Sequence, residues 1–212
     1  MINDHELVVD IDNLLSKSYI FYAHKKEECY KTNIRSETIQ EHTNRCLNHF
    51  YAIAEARNLE AVFINLKRFL FPEKDNRICQ LFEALVINTI VFHDIGKVNP
   101  LFQRQIMNNT MFLNEKANNT LGSDHSIVSA ILYLEYFLPK SNDFPRDIRN
   151  KFRFITYINA YVISKHHGSL NRFEDFINKF YEKDSNYKYL AEVIQKDYQK
   201  LFKVDCKIKL NN

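Results

Sequence analysis

The sequence predicts a mainly helical, all-α fold. Only three glycines and four prolines interrupt the 212 residues, and apolar residues recur at three- and four-residue steps over long segments. A hydrophobic fraction of 45% beside a charged fraction of 26% is typical of a globular chain with a buried core. We therefore expect one domain over residues 1–212, of which roughly the last ten form a tail or linker.

The same periodicity places the helices in chain order. One or more weakly patterned helices are expected before Ala23. Clearer helices are predicted over residues 36–57, 59–70, 76–94, 100–107, 124–138, 146–164, 171–181 and 186–202. The helix over 76–94 has the widest apolar stripe, and we expect it to end at Gly96 in a left-handed cap conformation. An asparagine-rich loop is expected over 107–122, after which Ser123 or Asp124 caps the next helix.

Charge and terminal sequence restrict the class of protein. The net charge of +3 does not by itself indicate a nucleic-acid-binding surface. We expect neither a signal peptide nor a membrane span, because no basic start precedes an apolar run and no stretch of about 18 apolar residues occurs. The four cysteines form no C-x-x-C pair and are expected to be free, which favours a cytoplasmic location.

Possible metal ligands stand near the ends of four separated predicted helices. They are His42, His93, Asp94, His125, His166 and His167. A neutral imidazole binds transition metals, and a carboxylate has two oxygens with which to bridge two ions. Each residue alone has an ordinary explanation as a capping or surface residue. Together they predict one cavity where helix ends converge.

The neighbouring residues fit that hypothesis. Lys97 lies four residues after His93 and is expected to neutralise a phosphate oxygen or a leaving group. The glycines lie within three residues of the histidine clusters, which suggests that backbone freedom is kept there to aim the histidines; they are Gly96, Gly122 and Gly168. The remaining histidines are expected to fall outside the cavity; they are His5, His24 and His49.

The ordered pattern resembles the HD superfamily, and more specifically the HD nuclease domain of the type I CRISPR interference helicase–nuclease. The matching segments are Glu41-His42 with Arg45, the run from His93 to Lys97 with Phe102-Gln103, His125-Ser126, and the run from Lys165 to Gly168. FYAHKK at 21–26 resembles the segment that often opens these domains. The resemblance implies a compact helical bundle, with its metal site at converging helix ends, that cuts single-stranded DNA with two transition-metal ions.

The resemblance also implies a division of the ligands. His42, His93 and Asp94 would hold one ion, and Asp94 would bridge to a second ion held by His125, His166 and His167. The family usually adds a later aspartate, and none of the available ones stands in a matching context; they are Asp175, Asp184, Asp197 and Asp205. Histidine-rich ligation favours manganese, iron, cobalt, nickel or zinc over magnesium.

The implied partners are single-stranded DNA, a superfamily 2 helicase, fused or separate, and a CRISPR effector complex. Candidate phosphate contacts flank the site; they are Lys97, Arg104, Lys165 and Arg172. Phe92 and Phe102 are candidates for stacking on bases. Two alternatives stay open: a phosphohydrolase acting on nucleotides or cyclic nucleotides, and a non-catalytic docking module in which the metals hold the helices together.

Overall fold

A computed structural model describes residues 7–25, 36–73, 75–115, 124–181, 186–197 and 199–202. The predicted helical fold is confirmed. The α-helices are α1 (Ile11–Leu14), α2 (Ile39–Ala56), α3 (Leu59–Leu70), α4 (Asn76–Phe92), α5 (Ser126–Phe137), α6 (Arg146–Ser164), α7 (Phe173–Tyr181) and α8 (Asn186–Asp197). Short 3-10 helices cover Ile95–Val98, Thr110–Phe112, Leu138–Ser141 and Gln199–Leu201, and a π-helical turn covers Phe102–Ile106.

Helix α5 is the centre of the bundle. Every residue from Ile127 to Leu134 is buried, so no side of this part of the helix faces solvent. It packs along α6 and against α4. Tyr133 is fully buried, and its hydroxyl donates to the Leu85 carbonyl of α4 at 2.8 Å, which removes the cost of burying a phenol. The ends of α4, α5 and α6 are thereby held close together.

A small antiparallel sheet is an element that the helical periodicity did not predict. Strand β1 (Tyr22–His24) pairs with β2 (Glu37–Thr38). Helix α2 therefore begins at Ile39 and not at residue 36. Its start is a capping box, in which Thr38 Oγ1 accepts from the Glu41 amide and Glu41 accepts from the Thr38 amide.

The predicted role of Gly96 was wrong. Helix α4 ends at Phe92, and Gly96 lies inside the 3-10 helix Ile95–Val98 without a left-handed φ. A Cβ at this position would stand 2.0 Å from the His125 carbonyl oxygen and 2.7 Å from the Ser129 amide. Glycine is needed because two backbones approach closely. Gly168 has nothing within 4 Å of such a Cβ, and Gly122 lies outside the described residues.

The other predicted boundaries shift slightly. Asp124 Oδ1 accepts from the Ser126 amide at the start of α5, whereas Ser123 lies outside the described residues. Within the described part before Ala23, α1 has only four residues. The predicted last helix ends at Asp197 before a 3-10 turn, and Phe202 forms an antiparallel bridge with Leu15. Among the described residues, no helix combines the length and hydrophobicity that crossing a membrane requires.

Candidate metal centre

The Asp94 carboxylate lies at the centre of a ring of histidines. It is 3% exposed, and its two oxygens have different partners. Oδ2 faces Lys97 Nζ at 2.8 Å, His42 Nε2 at 3.0 Å and His93 Nε2 at 3.4 Å. The partners of Oδ1 are His166 Nε2 at 3.1 Å, His125 Nε2 at 3.2 Å and His167 Nε2 at 3.9 Å.

This arrangement brings together all of the residues that the sequence singled out as possible ligands. The two oxygens divide the histidines into the same two groups that the resemblance implied. One oxygen faces His42 and His93, and the other faces the remaining three histidines. The role of these side chains as metal ligands stays a prediction.

Four helix ends deliver these side chains. His42 lies in the first turn of α2, just after the capping box. His93 and Asp94 directly follow α4, where the chain turns into the 3-10 helix. His125 immediately precedes α5. The His166-His167 pair follows α6, one residue after its last helical turn. Because the termini of the three central helices meet at one end of the bundle, residues far apart in sequence share one pocket.

Hydrogen bonds orient the rings with Nε2 toward the carboxylate. His93 Nδ1 donates to the Ile90 carbonyl at 2.6 Å, and His166 Nδ1 donates to the Ile163 carbonyl at 2.7 Å. A carbonyl only accepts, so Nδ1 carries the proton in the neutral ring and Nε2 keeps its lone pair. This pattern, in which a backbone oxygen holds one ring nitrogen and frees the other, is common for histidines that bind metals.

This orientation sets acceptor atoms of the rings against the acceptor oxygens of Asp94, and a cation between them would relieve the repulsion. With both rings neutral, a lone pair on His166 Nε2 faces an Asp94 oxygen at 3.1 Å, and a second lone pair on His93 Nε2 faces the other oxygen at 3.4 Å. Two acceptors at such distances repel each other unless the imidazoles are protonated or a cation lies between them. Five imidazole nitrogens around one buried carboxylate therefore suit divalent transition metals.

The close packing of the histidines around Asp94 shifts the pKa values of several of these groups. Burial alone would raise the pKa of Asp94, but hydrogen bonds with His125, His166 and His42 outweigh it and hold that pKa far below its usual range. Burial lowers the pKa of His93 despite the neighbouring Asp94. Burial alone would lower the pKa of His166, but hydrogen bonds to Asp94 and to the Ile163 carbonyl outweigh burial. The pKa of His166 is therefore raised. Burial and the neighbouring histidines lower the pKa of His167.

Lys97 lies deeper than the sequence suggested. It is 3% exposed, and its ammonium group contacts Asp94 directly. The ring of Phe102 lies 5.8 Å from the same ammonium and meets the His125 ring edge-on at 5.0 Å. Phe102 is 6% exposed and Phe92 1%, so the prediction that these rings stack on bases was wrong: both belong to the packed interior.

Several residues near the centre were missed. His24, assigned outside the cavity, lies on β1 with its ring 4.7 Å from that of His42. Glu37 Oε2 lies 3.5 Å from His42 Nδ1. Cys46 Sγ lies 3.6 Å from His42 Nε2, and its i+4 spacing from His42 was a signal that could have found it. The only sequence signal for His24 was its place in FYAHKK.

Gln103 is the other residue whose function the sequence did not reveal. It is fully buried, and its Nε2 donates to the Lys97 carbonyl at 2.7 Å and to the Tyr22 carbonyl at 2.8 Å. Its Oε1 accepts from the Tyr22 amide at 3.0 Å. Gln103 therefore joins strand β1 to the segment that carries His93 and Asp94.

The candidate phosphate contacts, the late aspartates and the remaining histidines do not share one location. Arg104 and Lys165 are half-buried, and Arg172 is exposed with its Nε 3.9 Å from Glu174. Asp175 is exposed and joins no group of potential ligands among the described residues. The side chains of the other late aspartates lie outside the described part of the chain; they are Asp184, Asp197 and Asp205. His5 also lies outside it, and His49 is exposed on α2.

Comparison with known proteins agrees with this geometry. A family model described as "Cas3, HD domain" matches residues 40–207, which is most of the chain and includes every residue described above as a partner of the Asp94 oxygens; His24 and Glu37 lie before the matched segment. Searches of curated proteins and of solved structures found no match.

Proposed function

The chain belongs to the Cas3 HD-domain family, and on that premise we propose that it is a metal-dependent nuclease that cleaves single-stranded DNA in CRISPR interference. The proposal rests on one observation: the two oxygens of the Asp94 carboxylate face two different groups of imidazole nitrogens. One bridging carboxylate between two histidine groups is the donor set that a pair of transition-metal ions requires.

The residues present would hold two ions. His42, His93 and Asp94 Oδ2 would form one site, and Asp94 Oδ1 with His125, His166 and His167 would form the other. Ions bound there supply Lewis-acid activation of water and neutralise charge on the phosphodiester. The side chains of His42, His93, His125 and His166 are between 13% and 21% exposed, so the ligands are held in a partly dry pocket in which electrostatic interactions are strong.

Lys97 has a separate task in this proposal. Its ammonium group neutralises part of the Asp94 charge in the buried pocket. Placed beside the bridging carboxylate, it also brings a fixed positive charge near the phosphate that would be cut. Charge that develops on the phosphate oxygens in the transition state is then stabilised without any rearrangement of the protein.

The exposure of the site favours a polymer over a small molecule as substrate. The side chains of His167 and His24 are 58% and 54% exposed, whereas the side chain of Asp94 between them is 4% exposed. The centre is therefore open along one edge, and a strand can lie across it without being enclosed. We accordingly favour a nuclease over a hydrolase of free nucleotides. A helicase and an effector complex are the proposed partners, because cleavage of one strand requires an unwound duplex.

The proposal is tested by cleavage with defined metals. The protein is stripped with a chelator and given Mn²⁺, Fe²⁺, Co²⁺, Ni²⁺ or Zn²⁺ with labelled single-stranded DNA, or with a panel of nucleotides and cyclic nucleotides. We expect DNA cleavage with at least one metal, and its loss in Asp94→Asn and in His93→Ala. His49→Ala, an exposed histidine on α2, is the matched control and should cleave normally.

Three outcomes would contradict the proposal. Undiminished cleavage by a purified Asp94→Asn protein would show that the activity arises elsewhere. Hydrolysis of a nucleotide with no cleavage of DNA would identify the phosphohydrolase alternative. Metal binding without hydrolysis of any substrate would identify the docking module.

A further inference from the structure

We infer that His24 is an additional metal ligand, which completes the shell of the ion held by His42, His93 and Asp94. This inference rests on the proposed function, because it concerns the same centre. One ligand atom from each of His24, His42 and Asp94 lies within 4.8 Å of the others. The three residues come from three separate elements: β1, α2 and the turn after α4.

The separation of these atoms suits a shared ion. Two ligands that each lie about 2.1 Å from one ion are at most about 4.2 Å apart. Atoms within 4.8 Å of one another therefore need a shift of only about 0.6 Å to reach a common ion, which a side-chain rotation provides. The His24 ring stands edge-on to the His42 ring, so the two rings do not stack over each other's nitrogens.

Among the described residues, the first group has fewer imidazole donors than the second. On the Oδ1 side, Asp94 is joined by His125, His166 and His167. On the Oδ2 side it is joined by His42 and His93 alone among the histidines above. His24 supplies a third imidazole there and makes the two groups equal in number of protein donors.

One carboxylate lies beside both the His24 ring and the His42 ring. Glu37 Oε2 lies 3.9 Å from His24 Nε2 and 3.5 Å from His42 Nδ1, so one side chain faces both rings. Arg45 forms an ion pair with the same carboxylate and anchors it. Glu37 and His24 are partners in the β1–β2 pairing, which brings them side by side. A negative charge beside a metal-binding histidine raises the basicity of the ring and so favours metal binding.

The position of strand β1 is fixed by the buried Gln103. It accepts from the Tyr22 amide and donates to the Tyr22 carbonyl, and it also donates to the Lys97 carbonyl. His24, two residues after Tyr22, is therefore held at a constant distance from the segment that carries Asp94. This is the structural use of a small sheet in an otherwise helical domain.

Cys46 is the competing donor. Its sulfur groups with His42 and His93, but in the described part of the chain its group does not include Asp94. An ion held through Cys46 would then not share the bridging carboxylate. His24 groups with His42 and Asp94, although not with His93, so an ion held through His24 shares the bridging carboxylate. We therefore assign the additional ligand on this side to His24.

The test measures metal binding by the full chain, apart from activity. Mn²⁺ titration followed by electron paramagnetic resonance gives the number of bound ions and their affinities. We expect the unaltered protein to bind two ions, and His24→Ala and His24→Asn to bind one of them about 10- to 100-fold more weakly. His49→Ala is the control, and thermal unfolding checks that each variant is folded.

Three results would overturn the inference. The first is unchanged affinity for both ions in the folded His24 variants. The second is weakened binding in Cys46→Ser but not in the His24 variants. The third is weakened binding in Asp184→Ala, Asp197→Ala or Asp205→Ala with no effect of the His24 variants, which would assign the position to a late aspartate. If His24 supports metal binding but the unaltered protein cuts no DNA, the inference stands and the proposed function fails.

Discussion

Replacing Gly96 by alanine should lower the stability of the protein and disturb the candidate metal centre. The new Cβ would stand 2.0 Å from the His125 carbonyl oxygen, 2.7 Å from the Ser129 amide and 2.9 Å from Ser129 Oγ. Two of these atoms belong to the backbone, so they do not move aside as the end of a flexible side chain would. Helix α5 and the segment Ile95–Val98 would have to separate.

The size of the effect follows from these distances. An ordinary contact begins near 3.4 Å, so the two backbones must move apart by about 1.4 Å. The Gly96 amide also donates to Ser129 Oγ at 2.8 Å, and this buried bond would be strained. Overpacking of this kind costs about 3 kcal/mol, which corresponds to a fall in Tm of roughly 6–12 °C for a domain of this size. Because His125 moves with the start of α5, metal-dependent cleavage should fall about 100-fold.

The assay compares Gly96→Ala with Gly168→Ala. A Cβ at Gly168 meets nothing within 4 Å, so this variant has no such clash. Both substitutions reduce the freedom of the unfolded chain equally, and the difference between them isolates the clash. Thermal unfolding and Mn²⁺ titration of both proteins provide the measurements. The reasoning is refuted if the free energies of unfolding of the two variants agree within about 0.5 kcal/mol and their metal affinities are equal.

Other predictions concern charge. Lys97→Met should destabilise the metal-free protein by roughly 3 kcal/mol, because it leaves the buried Asp94 without its ammonium partner. Added Mn²⁺ should restore most of the lost stability. Equal losses in melting experiments with and without Mn²⁺ would contradict this prediction. Metal affinity should fall by about tenfold or more from pH 7.5 to pH 5.5. The pKa of His166 is raised, so its ring holds a proton that a metal ion must displace. A metal affinity that does not change with pH would argue against histidine ligation. Burial raises the pKa of Glu135 to about 7 from 4.5, so its ionisation weakens the fold as pH rises through that range. Glu135→Gln should therefore stabilise the protein by about 1 to 2 kcal/mol at pH 8 and by little at pH 4, as urea unfolding at the two pH values can check.

The helices were largely predictable because their signal is local. The bounds 59–70 and 146–164 were recovered from periodicity and from Pro72 and Pro145, which interrupt the pattern. The histidine pattern was equally informative, because the same residues that resemble an HD domain are those gathered around Asp94. A sequence shows which residues are capable of this chemistry, since imidazole and carboxylate groups are fixed by residue type.

Tertiary packing decided what local patterns do not contain. Strands of three and two residues are too short to show alternation, and they form only because β1 meets β2 across an intervening segment. His24 and Glu37 reach the centre through that pairing. The glycine at position 96 is explained by the approach of a helix that begins thirty residues later. The residue types and the helical periods are properties of neighbouring positions, whereas the distances around Asp94 depend on which distant backbones come into contact.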